Sequence, residues 1–210
     1  KLLLILLCLP MIGFGQNVYI PDANFKSYLV GNIGINTNGD TEIQVSEAAA
    51  FSGEIDCYPN ISDLTGLEDF TALTELSCSG IQLTSLDVSN NIALEILWCG
   101  NNQLTSLDVS ANTALEFLYC FDNQLTRIDL SQNASLENLS CQSNQLTSLD
   151  LSQNTALTYL DCNNNQLITL DINQNTNLNH LNCGTNLFTS LNVSNNTNLE
   201  HLDFYNNQLT

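Results

Sequence analysis

Leu94-Glu95-Ile96-Leu97-Trp98-Cys99-Gly100-Asn101-Asn102-Gln103-Leu104-Thr105-Ser106-Leu107-Asp108-Val109 is the stretch on which the fold turns. Leu115, Leu118, Cys120, Asn123, Leu125, Ile128 and Leu130 repeat its spacing 21 residues further on. Further copies run from Leu136 to Leu151, Leu157 to Ile172 and Leu178 to Val193, and an incomplete one opens at Leu199. Cysteine marks the period at Cys57, Cys78, Cys99, Cys120, Cys141, Cys162 and Cys183, and Phe204 takes the next place. A fixed period of this size means stacked copies of one supersecondary unit.

The spacing within a copy says how the unit folds. Leu97 and Cys99 are two apart, so they share one face of a short strand and point inward. Strands of successive copies then stack in parallel. Asn102, Asn123, Asn144, Asn165, Asn186 and Asn207 form a ladder whose amides satisfy backbone groups where the chain leaves each strand; Ile81 interrupts it near its start. Leu104 and Leu107 turn the chain back, and segments such as Ser110-Ala111-Asn112-Thr113 make the outer turns. One copy cannot bury its apolar stripe alone, whereas a stack can, each copy touching only its neighbours. The columns Asp87, Asp108, Asp129, Asp150, Asp171 and Ser89, Ser110, Ser131, Ser152 read as local caps of turn amides, with a calcium ladder as the alternative.

These residues match L-x-x-L-x-[LC]-x-x-N-x-L, and the chain resembles the secreted bacterial leucine-rich-repeat proteins. The 21-residue period with cysteine in place of one core leucine is similar to the cysteine-ladder repeats of the internalins. The resemblance covers about Cys57 to Thr210. It implies a leucine-rich-repeat solenoid, a curved horseshoe with a parallel β-sheet on the concave face and short turns or 3-10 segments on the convex face. It also implies adhesion-type binding at a bacterial cell surface or after secretion. No ligand carries over, because repeat families keep the core and change the surface.

With 22 acids against three Lys or Arg, the formal charge is −19, which repels phosphate backbones and anionic lipid and excludes nucleic acid as a partner. Hydrophobic residues make up 43%, enough for an ordered core. Lys1, the apolar run Leu2 to Ile12 and Gly13-Phe14-Gly15 read as a secretory signal peptide cleaved before Gln16, after which no membrane insertion is expected. Cys8 lies inside that apolar run and lacks the small residues of a lipidation site. The sequence reads as a fragment at both ends, divided into 1–15 signal, 16–53 cap and 54–210 repeats. The remaining cysteines are expected to be free buried thiols, since parallel side chains on adjacent strands fit disulfide geometry poorly.

Residues 21–53 break the period. Pro21 to Val30 and Val45 to Phe51 read as two short helices. Between them Asn36-Thr37-Asn38-Gly39-Asp40-Thr41-Glu42-Ile43-Gln44-Val45-Ser46-Glu47 resembles a 12-residue EF-hand loop. Asn36, Asn38, Asp40 and Glu47 would supply side-chain oxygens and Glu42 a carbonyl, making calcium the one candidate cofactor. Asn at the first place and Thr41 where the turn wants Gly depart from the pattern. The segment is expected to cap the open end of the solenoid.

Residues beside the inward Leu and Cys project from the concave sheet and vary from copy to copy. Ile96, Trp98, Phe117, Tyr119 and Phe121 form an aromatic cluster on two adjacent strands, a candidate contact for a protein or glycan. His180, His201 and Asp203 form a second group that could hold a transition metal. No nucleophile–base motif appears, so the expectation is a monomeric binding protein rather than an enzyme. The alternative is an architectural spacer that presents another module.

Overall fold

The computed structural model describes residues 15–208; residues 1–14, on which the expected signal peptide and Cys8 fall, and Leu209-Thr210 lie outside the described residues. Eight three-residue strands make one sheet: β1 Glu54–Asp56, β2 Glu75–Ser77, β3 Ile96–Trp98, β4 Phe117–Tyr119, β5 Asn138–Ser140, β6 Tyr159–Asp161, β7 His180–Asn182 and β8 His201–Asp203. They pair in sequence order, all parallel, with the first residue of each strand opposite the first of the next. This is a solenoid, because every crossover returns the chain one strand further along the same sheet. Strands this short hold because each is flanked by identical neighbours; Cys78 N donates to Trp98 O at 2.7 Å and Cys99 N to Tyr119 O at 2.8 Å, and the pattern recurs.

The inward side of the sheet is the Leu and Cys series. Ile55, Leu76, Leu97, Leu118, Leu139, Leu160 and Leu181 are wholly buried, and all seven described cysteines are buried free thiols. Burial pushes the Cys57 and Cys120 thiols up to about 12, so neither forms the reactive thiolate near neutrality. Leu94, Leu104 and Val109 and their equivalents fill the rest of the core.

Two asparagine ladders carry the backbone through the turns. Asn123 Nδ2 donates to Cys99 O, Cys120 O and Phe121 O at 3.0–3.2 Å, and its Oδ1 accepts from Leu104 N at 3.0 Å. A second column, Asn91, Asn112, Asn133, Asn154, Asn175 and Asn196, lies in the outer turns and is deeply buried there. Asn133 Nδ2 holds Val109 O and Asn112 O of the preceding copy at 3.0 and 2.9 Å. The Asp column behaves as the local-cap reading expects: Asp108 Oδ1 accepts from Ser110 N at 2.9 Å, and the same contact recurs at Asp87, Asp129 and Asp150.

Each copy turns sharply after its strand through a left-handed residue. Asn101, Asp122, Ser143, Asn164, Thr185 and Asn206 have φ between 48° and 54°, and Gly80 takes the same place one copy earlier. Asn and Asp tolerate this conformation, whereas the β-branched Thr185 is strained there.

The cap has helices α1 Ala23–Gly31 and α2 Val45–Ala50, joined by the 32–44 loop. Helix α1 starts later than Pro21 because Asp22 is its N-cap, accepting from Asn24 N and Phe25 N. The other oxygen of Asp22 accepts from Ser62 N and Asp63 N, tying the cap to the first copy. Phe25, Leu29, Ile35 and Ile43 join the core, continuous with Ile55 and Cys57. Gly66, at φ 104°, lets residues 18–20 pass closely: a Cβ there would meet the Ile20 side chain at 2.8 Å. A single 3-10 turn, Leu67–Asp69, is the one such segment among the described residues; the later convex segments are plain turns. No described helix is long and apolar enough to cross a membrane.

Candidate binding face

The outward face of the sheet carries the residues that strand alternation turns away from the Leu and Cys core. In-register pairing sets Ile96 opposite Phe117 and Trp98 opposite Tyr119. The Trp98 and Tyr119 rings lie 3.6 Å apart, centroid to centroid, and within 6° of parallel. Full overlap is not what ring quadrupoles favour; the strand register imposes it. The Phe121 ring lies over Gly100, where an added Cβ would come within 2.8 Å of it. The five residues thus form one contiguous patch, and each is half-buried rather than fully exposed because its neighbours shield it.

A second patch lies toward β8. His180 stacks on Tyr159 at 4.5 Å and meets His201 at 5.4 Å, tilted by 45°. The two imidazoles extend an aromatic row. Among the described residues no group of three His, Cys, Asp or Glu side chains is disposed to hold a metal, so His180, His201 and Asp203 do not come together as a ligand set. Tyr205 reaches back over Gly184, and its hydroxyl accepts from Asn163 Nδ2 at 3.0 Å. At the other end Tyr28 of the cap packs edge-on against Tyr58, and its hydroxyl accepts from Asp56 N at 3.0 Å. The sequence carried a signal for two of these contacts: Gly100 and Gly184 each stand 21 residues before the aromatic that covers them.

The candidate calcium loop is satisfied from within. Glu47 Oε1 accepts from Thr37 N, Thr37 Oγ1 and Asn38 N at 2.8–3.1 Å, and Oε2 from Gln44 N at 3.0 Å. Asn36 turns its Nδ2 to Val30 O and Asp40 O. Asp40 Oδ1 accepts from Glu42 N, and its Oδ2 from Asn38 Nδ2 and Gln44 Nε2. Glu42 pairs with Lys26 at 2.8 Å. The four side-chain candidates, Asn36, Asn38, Asp40 and Glu47, already spend their oxygens on protein donors, so a calcium ion there would have to displace these bonds. Backbone amides hold the Glu47 carboxyl below its ordinary value despite the opposing effect of burial, which is the largest single influence on it.

Seven buried cysteines at one spacing, an asparagine ladder beside them and eight parallel strands settle the kind of repeat. These are leucine-rich repeats of the cysteine-ladder type. Leucine-rich repeats (two copies) match residues 92–133. The chain is 41% identical over 76 residues to Internalin J of Listeria monocytogenes, a match covering 36% of this chain and 8% of that protein. It is also similar to the solved functional domain of internalin J, described as including a cysteine ladder: TM-score 0.85, 38% identity, 93% of this chain and 44% of that one. The chain therefore spans less than half the length of either. Internalin C2 of Listeria monocytogenes shares the fold at 18% identity, with TM-score 0.81 over 90% of this chain and 86% of that one. A leucine-rich-repeat protein of Leptospira interrogans does so at 23% identity, with TM-score 0.70 over 78% and 46%.

Proposed function

We propose that this internalin-like chain is a secreted or cell-surface binding protein of the adhesion type. It recognises a protein or glycan through the concave face, with Ile96, Trp98, Phe117, Tyr119 and Phe121 as the main contact. The observation that carries the reading is the position of these rings. They stand outside a core already filled by the Leu and Cys series, half-buried on a face that no described helix or strand covers. Aromatic side chains grouped on an open surface are favoured contact residues. The export pattern of Lys1 to Gly15 supports the location. The cap, whose polar groups are paired internally, needs no cofactor in this reading.

The test is a screen of the chain against glycan and cell-surface protein arrays, beside a folded Trp98→Ala/Tyr119→Ala/Phe121→Ala variant. Hits lost in the variant support the site. Hits that survive it reject the site and keep the binding class. An absence of hits favours the spacer.

A further inference from the structure

The strand register sets one row across the open face: Asp56, Ser77, Trp98, Tyr119, Ser140 and Asp161, on β1 to β6 in turn. The residue types are symmetric, but the two ends are not alike. On the β5–β6 side Ser140 is buried, and its hydroxyl donates to Gln142 Oε1 at 2.7 Å. Asp161 Oδ1 accepts from Asn163 N at 3.0 Å and its Oδ2 from Asn182 Nδ2 at 3.3 Å. Asn163 in turn reaches the Tyr205 hydroxyl, and His180 lies between Tyr159 and His201. This half of the face largely satisfies itself.

The β1–β2 side does not. Ser77 is half-buried, and the residue that stands to it as Gln142 stands to Ser140 is Ser79, too short to lie over it. Tyr119 covers one face of Trp98, and the other looks across Ser77 toward Asp56. Two strand spacings separate Trp98 from Asp56, about 9.5 Å, which leaves room for a planar cation on the ring with the carboxylate beyond it. Glu54 and Glu75 lie opposite one another on the same two strands as Asp56 and Ser77. Among the described residues no donor meets the carboxylates of Glu54, Asp56 or Glu75; the one ion pair is Lys26 with Glu42, and Arg127 is exposed outside the strands. Burial, and after it the charges of Glu75 and Asp56, push the Glu54 carboxyl up, so these acids repel one another with no cation of the chain between them.

We infer that the half of the concave face nearest the cap, β1 to β4, docks a basic segment of a partner protein, with one arginine lying on the free face of Trp98 over Ser77 and donating to Asp56. Further cationic side chains of the segment meet Glu54 and Glu75, and an apolar one rests on Ile96 and Phe117. This deepens the binding reading above, on which it rests, by naming the partner class. Arginine suits the seat better than lysine, because its planar guanidinium stacks on a ring and still presents a fork of donors to a carboxylate. The half toward β8 stays outside the contact, since its row of polar groups is already engaged within the sheet.

The experiment uses the full chain and a blocked peptide with three arginines and one leucine in a glycine–serine background. Trp98 is the only tryptophan in the chain, so its fluorescence reports on the seat directly. A saturable change is expected, weakened by added salt. Affinity should fall at least tenfold for a citrulline version, which keeps the shape and loses the charge, and at least threefold for a lysine version. Asp56→Asn/Glu75→Gln should also cost at least tenfold. Asp161→Asn/Asp203→Asn removes the same charge from the other half of the same face and should change affinity less than twofold. No saturable change at Trp98, undiminished binding of the citrulline or lysine version, or equal weakening by the two pairs of substitutions overturns the inference. Array hits lost in the aromatic variant but confined to glycans or acidic proteins also overturn it while leaving the binding reading intact. Array hits that survive the aromatic variant overturn both the inference and the proposed site.

Discussion

Glu47 in the cap and Asn123 in the solenoid do the same work with different chemistry. Each gathers backbone groups at a turn that has no regular partner for them. Glu47 does so as a carboxylate accepting from Thr37 N, Asn38 N and Gln44 N, and Asp22 does likewise for Asn24, Phe25, Ser62 and Asp63. Asn123 does so as a neutral amide that both donates and accepts. A carboxylate serves a one-off loop whose orphan groups are mostly amides. A ladder needs a neutral group, since carboxylates stacked at the strand spacing inside a core would repel one another with little screening. The cap loop and the Asp caps of the outer turns, whose carboxyls are likewise held low by Ser amides and hydroxyls, are therefore acid-sensitive, and the buried ladders are indifferent to pH.

The largest effect that could break this comparison is at the ladder. Asn123→Ala removes four hydrogen bonds and leaves buried Leu104 N without a partner, while Cys99 O, Cys120 O and Phe121 O keep Asn102 Nδ2, Asn144 Nδ2 and Asn101 N, and it is expected to lower stability by about 3 kcal/mol in urea denaturation. Asn133→Ala removes only two hydrogen bonds, to carbonyls that keep Asn112 N and Leu115 N, and Asn133 Oδ1 has no partner to lose, so it should cost less, about 2 kcal/mol. Equal losses at the two sites would mean that the second ladder works by packing alone.

Next comes the pH dependence of the cap. Asp22 and Glu47 have lowered values in the fold, from 3.8 and 4.5. The stability they supply is complete above those ordinary values and is lost as pH falls through the lowered ones. Hydrogen exchange at Thr37, Asn38 and Gln44 should therefore speed up on acidification relative to Leu104 and Leu125, whose amides are held by the neutral ladder. In Glu47→Gln that difference should be present already at neutral pH, by about 1 kcal/mol, and should no longer change with acid. Acid sensitivity at Leu104 and Leu125 equal to that of the cap loop would contradict the division.

A smaller change of opposite sign is expected at Thr185. Thr185→Asn places a residue suited to the left-handed turn where the other copies have one, and should raise stability by about 1 kcal/mol. Smallest of all is the response to calcium. Calorimetric titration should give no saturable heat, and Asp40→Ala should not alter the trace; a saturable heat lost in Asp40→Ala would restore the EF-hand reading.

The solenoid was legible because each copy repeats the same physical demand, so the Leu, Cys and first Asn columns name their own positions. The second Asn column was present in the sequence at the same period, but polar residues in a Ser- and Asn-rich turn read as solvent-facing, and only the stacking of one turn on the next buries Asn112. The cap was legible as two helices. The use of its loop was not, because the residue types that hold calcium are also those that hold backbone amides, and spacing alone does not distinguish them. Trp98, Tyr119 and Phe121 could be grouped from sequence. Their overlap, and the serine and aspartate on either side of the pair, required the register.

The most direct test of the central claim is a hydrogen-exchange footprint of the chain bound to a partner identified on the arrays. The account predicts protection concentrated in segments 95–100 and 116–121, with the outer turns around Ser110 and Ser131 unchanged. Protection confined to those outer turns or to the cap loop 36–47 would contradict it.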